Sequence, residues 1–228
     1  MTESDIKDLI DRIQTEVDIC GIAYYQWKEI HNYCSSVSPQ PRTLTVHSSF
    51  WAATLASLQN TYILGLSKLF DKSKNSFSLD TVLKHCNNNS GYFSNTSLEA
   101  RKIKQGWSQV SAAAYAKNSF APSSNDFTAL GQSLNNARAI VKNKIHPIRH
   151  KVTAHTQKGI SPSSITSLYN QVSISEIESV IDEANTIGIW LWGNWENGHD
   201  FSGGVKPFMQ PPGLSSETSD LIIKASVP

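Results

Sequence analysis

Apolar residues recur every three or four positions along most of the chain, and this spacing constrains the fold more than any other feature. Such spacing places apolar side chains on one face of an α-helix, whereas a half-buried strand alternates with a period of two. The clearest stripe comprises Phe127, Leu130, Leu134, Ala137, Val141, Ile145, Ile148 and Val152. No alternating segment of any length occurs. The sequence therefore predicts an all-α fold, a bundle of about five to seven helices.

Other helices are predicted from the same spacing. They cover residues 4–34 and 44–70, begin again near Ser97, and follow the capping box Ser173–Glu176. The second of these helices is apolar on nearly all sides, which is typical of a helix in the centre of a bundle. In the helix that begins near Ser97, the residues expected to face inward include Leu98, Ile103, Trp107 and Val110.

Pro147 interrupts the clearest stripe without changing its phase. Proline lacks the N–H that an α-helix uses, and it disfavours helical geometry at the preceding residue. We expect a kink at this point, or a new helix that begins with His146 as its cap.

The chain changes character after Trp195, where glycine and proline become frequent. This change predicts two parts, a helical bundle over residues 1–195 and an irregular C-terminal extension over residues 196–228. Leu221–Ile223 could form a short strand or a packed extension of the bundle.

The net charge of +1 conceals a strong segregation of charge. Residues 127–175 contain six basic residues and no acidic residue. By contrast, residues 1–30 contain three basic and seven acidic residues, and residues 176–228 contain two and eight. The basic middle of the chain favours a polyanion as the binding partner.

The sequence also predicts a cytoplasmic location. Three cysteines without a CxxC pair fit a reducing compartment. The N-terminus is acidic and polar, unlike a secretory signal, and no apolar run approaches the roughly 18 residues of a membrane span. We therefore expect no membrane association.

Three of the seven histidines lie within residues 146–155, inside the basic segment. His146 and His150 have the i,i+4 spacing of a helical metal pair, but adjacent basic residues would repel a cation, so we predict no metal. A second interpretation is structural, because His155 continues the apolar stripe and the neighbouring cations could form a solvated face. A third interpretation is chemistry on an anionic substrate.

The third interpretation assigns complementary tasks to Arg149 and His155. An arginine can bind a phosphate through two parallel hydrogen bonds, and a histidine can transfer protons near neutral pH. RNA supplies its own nucleophile, the 2′-hydroxyl, so no metal or cofactor is needed. At about 100° per residue, however, the two side chains lie about 120° apart on a straight helix. Either the helix ends near Thr153, or a second protomer completes the site.

The segment Ile148–His155 resembles the signature of the HEPN superfamily. That signature is an arginine, often followed by a polar residue, and then a histidine after four to six residues. Here five residues separate Arg149 from His155, and His150 occupies the polar position. A second stretch, from Phe50 through Leu69-Phe70-Asp71 to Ser78-Leu79, resembles the abortive-infection AbiU-type HEPN family.

The resemblance implies a HEPN-like bundle that forms a homodimer, with two Arg–His motifs in a shared cleft. Many such proteins are similar to metal-independent endoribonucleases. Arg149 would then bind or orient phosphate, His155 would act as acid and base, and His150 would support one of them. Some relatives are toxins restrained by a partner antitoxin protein, and others act in phage defence.

Two functions therefore stay open. The first is a HEPN-type endoribonuclease whose further phosphate-binding residues are Arg138, Lys142, Lys144 and Lys151. The second is a non-catalytic helical module that binds a nucleotide, RNA or a partner protein. This module needs only the basic face and the bundle. The resemblance allows it, since some relatives have lost catalysis.

Overall fold

A computed structural model describes residues 1–36, 48–73, 76–153, 161–200, 217 and 220–222. These residues confirm the all-α class, because they contain helices and no strand. They form nine α-helices when 135–153 is counted as one, slightly more than the predicted five to seven. The helices are α1 (Glu3–Ser36), α2 (Ser48–Leu69), α3 (Leu79–Asn88), α4 (Asn95–Lys104), α5 (Gln109–Lys117), α6 (Ser124–Ser133), α7 (residues 135–153), α8 (Pro162–Tyr169) and α9 (Ile174–Asn197).

Helix α1 packs against α2 on one side and against α9 on the other. Its predicted stripe is buried, from Ile6 to Tyr24. Gly65 of α2 lies against Cys20, and Lys28 forms an ion pair with Glu178 of α9 at 2.5 Å. The central helix is therefore α1.

The predicted central position of α2 is wrong. Although the helix is apolar on most sides, Phe50 is 63% exposed and Leu64 is 40% exposed. Only one side of α2 packs into the bundle, through residues such as Tyr62, Ile63 and Leu66. Composition could not decide this, because which side is covered depends on the neighbouring helices.

The helix predicted from Ser97 onward is two helices. The backbone turns at Gly106, whose φ of 93° lies in the left-handed region that favours glycine. Ser108 then caps α5 by accepting a hydrogen bond from the Ser111 N–H at 3.1 Å. The predicted inward orientation beyond Leu98 is consequently wrong: the exposed fractions are 41% for Ile103, 41% for Trp107 and 81% for Val110.

Helix α7 passes through Pro147 without a new start. It consists of an α segment Asn135–Ile140, a π turn Val141–Ile145, a short α segment His146–Ile148 and a second π turn Arg149–Thr153. His146 keeps helical backbone angles (φ −57°, ψ −40°) and makes no side-chain cap, so the predicted restart does not occur. Proline has no N–H to donate to the preceding turn. In the flanking π turns the hydrogen bonds run from residue i to i+5, and this wider spacing lets the helix continue without that N–H.

Within the short C-terminal stretch that the structure describes, Ile222 is fully buried beside Ile30 and Trp51. The predicted packed extension is therefore confirmed at this residue. The division of the chain at residue 195 stays a prediction. None of the helices in the described ranges combines the length and hydropathy that a membrane crossing requires.

Candidate functional site

Two faces of α7 have opposite character. One face packs into the bundle through the predicted stripe, with Ala137, Val141, Ile145 and Ile148 all fully buried. The adjacent face carries the basic residues, since Arg138, Lys142 and His146 follow each other at intervals of four. Arg149 and His150 lie one further turn along. The basic residues that the sequence predicted therefore lie together on one helix, mostly on one face.

Two of the predicted phosphate-binding residues are held by carboxylates. The guanidinium of Arg138 forms an ion pair with Asp80 and donates to the Gly131 carbonyl at 2.6 Å and to Asn135 Oδ1 at 2.8 Å. Lys144 Nζ lies 2.5 Å from Glu176 Oε1, at the start of α9. Both side chains therefore tie α7 to its neighbours.

The other predicted cations have no such partner. Lys142, Arg149 and Lys151 form no hydrogen bond or ion pair through their side chains with any residue that the structure describes. Lys142 and Lys151 are exposed, whereas Arg149 is half-buried. A half-buried guanidinium without a carboxylate beside it is available to an anion from outside the chain.

His146 connects α7 to the end of α2. Its Nε2 lies 3.4 Å from the carbonyl oxygen of Ser67, and its ring centroid lies 6.2 Å from that of His150. Burial lowers the pKa of His146 below its usual value of 6.5, and the nearby charges of Arg149 and His150 lower it further. The Ser67 carbonyl and the carboxylate of Asp71 act in the opposite direction. On balance the pKa of His146 lies below the usual value for histidine, mainly because the ring is partly buried.

The second member of the predicted motif, His155, lies outside the described residues, so its approach to Arg149 stays a prediction. The described part does change one premise. Arg149–Thr153 is a π turn, in which each residue rotates less about the axis than in an α-helix. The separation of about 120° holds for a straight α-helix, and only the Arg149–Thr153 part of this segment is described.

Metal ligation has no support in the described part of the chain. No three side chains of His, Cys, Asp and Glu there are grouped so that they could hold a metal ion. The pair His146 and His150 accordingly has no third ligand among these residues.

The fold brings two further residues to the cationic part of α7. Asp71 and Lys72 follow the end of α2 and, together with Lys142 and His146, line a pocket against α7. Lys72 carried no sequence signal for this position, because only the packing of the residue 70–73 turn on α7 brings it there.

Fold and site together define an all-α bundle in which one helix carries basic side chains, some of them paired with carboxylates, up to Arg149 of the motif. The model of the HEPN family AbiU2 matches residues 3–207. The chain therefore belongs to the AbiU2 family of HEPN proteins, which confirms the resemblance seen in the sequence. No curated protein and no solved structure matches the chain.

Proposed function

We propose that this protein is a metal-independent endoribonuclease that acts in abortive infection, as a toxin or phage-defence component. Arg149 binds the scissile phosphate, and His155 moves the proton of the attacking 2′-hydroxyl. His150 supports one of these two residues. The reaction needs no external nucleophile. The 2′-oxygen forms a bond to the adjacent phosphorus, the bond from phosphorus to the 5′-oxygen breaks, and the 5′-oxygen leaves with the proton that His155 took from the 2′-hydroxyl.

The observation that carries the proposal is that Arg149 is half-buried and has no carboxylate partner among the described residues. In a chain that belongs to a HEPN family, Arg149 is the half-buried cation of α7 that no described carboxylate neutralises. Lys142 and Lys151 extend the same positive field along the helix. Such a row would attract the phosphate backbone of RNA, with an affinity that falls as salt rises.

Cleavage of a labelled RNA pool in the presence of EDTA tests the proposal. Arg149→Ala and His155→Ala should each abolish cleavage, and Arg149→Lys should restore little because an ammonium lacks the planar fork. His85→Ala, on α3, is the matched control and should cleave like the parent. If His155→Ala cleaves as fast as the parent, the mechanism is wrong. RNA binding by the parent without any turnover would instead support the non-catalytic module.

The proposed homodimer can be tested through the same variants. If each site combines Arg149 of one protomer with His155 of its partner, a mixture of the two inactive variants regains activity through heterodimers. If both residues act within one protomer, the heterodimer has no intact site and the mixture stays inactive. The oligomeric state itself is measured by light scattering during size-exclusion chromatography.

A further inference from the structure

The residue 70–73 turn and the cationic face of α7 enclose a pocket of about 480 Å³. We call it the α7 pocket. Its lining includes Asp71, Lys72, Ser73, Arg138, Lys142 and His146. Its volume falls within the range of about 300–1,000 Å³ that small-molecule sites occupy. One nucleotide fits a space of this size.

Two of the three basic side chains in the α7 pocket are available to a ligand. Arg138 is engaged by Asp80, whereas Lys72 and Lys142 are exposed and form no ion pair within the described ranges. The two lysines come from different elements, the turn after α2 and the first π turn of α7. A phosphate between them would be contacted from two sides.

The pocket also contains a hydrogen-bond acceptor. Asp71 Oδ1 accepts from the Ser73 N–H at 2.9 Å, and its other carboxylate oxygen accepts no hydrogen bond from a described residue. An ionised carboxylate can only accept hydrogen bonds. It therefore suits the exocyclic amino group of adenine, cytosine or guanine, and uracil has no such group.

The α7 pocket lies on the same helix as Arg149 of the proposed catalytic motif, one turn before it. His146, which lines the pocket, precedes Arg149 by three residues, about 4.5 Å along the helix axis. A single strand whose scissile phosphate lies on Arg149 can thus place its neighbouring nucleotide in the pocket. Single-stranded RNA presents unstacked bases, which proteins read through their hydrogen-bonding edges.

We propose that the α7 pocket binds one nucleotide of a single-stranded RNA, next to the phosphate held by Arg149. Lys72 and Lys142 contact the phosphate of that nucleotide, and Asp71 accepts a hydrogen bond from the amino group of its base. The inference rests on the proposed function, and it adds a substrate class and a base preference to it.

The phosphate contact is tested by binding of a fluorescent single-stranded RNA to the full-length His155→Ala protein at several salt concentrations. Lys72→Ala and Lys142→Ala should each weaken binding and reduce the slope of log affinity against log salt by about 0.7. Lys117→Ala, an exposed lysine on α5, should change neither. An unchanged slope in both pocket variants would overturn the phosphate assignment.

The base contact is tested by sequencing the products that the parent makes from an RNA of random sequence. Uridine should be under-represented at one fixed position beside the cut, and Asp71→Asn should remove this bias because an amide both donates and accepts. A bias that survives Asp71→Asn overturns the assignment of Asp71. A parent that neither cleaves nor binds RNA refutes the proposed function and the pocket together, whereas a parent that cleaves while both tests fail refutes the pocket alone.

Discussion

Replacing Gly65 by alanine tests how closely α1 and α2 approach each other. A Cβ atom added at Gly65 would lie closer than 3.0 Å to Cys20 Sγ, whereas Cys20 Cβ would be 3.8 Å away, an ordinary contact. Cys20 is 1% exposed, so its sulfur cannot move out into solvent. The close approach of the two helices therefore depends on the absence of a side chain at residue 65.

The magnitude follows from two opposing effects. Overpacking a core by one methyl group destabilises a protein by about 1–3 kcal/mol. Alanine is favoured over glycine within a helix by about 1 kcal/mol. Gly65→Ala should thus lower the free energy of unfolding by roughly 0–2 kcal/mol in the parent. In the Cys20→Ala background the sulfur is gone, and the same change should raise it by about 1 kcal/mol.

Urea unfolding of the parent, the two single variants and the double variant measures this change of sign. The midpoint should move while the slope stays constant. Gly188→Ala serves as a control, because the added Cβ would meet the tip of the flexible Gln14 side chain, which can swing away. If Gly65→Ala stabilises both backgrounds equally, α1 and α2 are not in the contact described.

Three further predictions concern single side chains. Asp80→Ala should destabilise the fold by about 1–3 kcal/mol in urea unfolding, because it leaves the mostly buried Arg138 guanidinium without its carboxylate; Asp80→Asn should lose less. NMR titration should give His146 a pKa below 6.5, and Asp71→Asn should lower that pKa further. Because the histidine takes up a proton more readily in the unfolded chain than in the folded one, its titration costs no folding stability above about pH 6.5. As the pH falls from there toward the lowered pKa, the free energy of unfolding should decrease. A thiol reagent should modify Cys34 first, and Cys34→Ser should remove the fast phase, because the other two cysteines are buried and burial raises their pKa to about 12.

Sequence reasoning succeeded where one helix carries a long, regular stripe. The buried face of α7 was predicted residue by residue, because Val141, Ile145 and Ile148 keep the helical spacing on both sides of Pro147. It failed at Trp107 and Val110, where a stripe appeared to continue through Gly106. A glycine followed by a serine cap signalled the break, yet apolar spacing outweighed this local signal in the prediction.

Some features of the candidate site could be predicted from the sequence and others could not. Arg149, the basic character of residues 127–175 and the family could be recognised from the sequence, because they depend on residue identity and spacing within one helix. Whether a given lysine or arginine is available depends on which carboxylate another helix brings to it. Asp80 and Glu176, distant in the chain, neutralise Arg138 and Lys144, while Lys142 stays free of any described partner.

The sequence by itself thus determined the all-α class, the core face of α7 and the position of the cationic motif. These properties follow from the helical repeat, which is local. Only the tertiary structure decided that α1 is the central helix, that α7 crosses Pro147 through π turns and that Lys72 and Lys142 line one pocket. Each of these depends on contacts between segments far apart in the chain, and no local pattern encodes which segments meet.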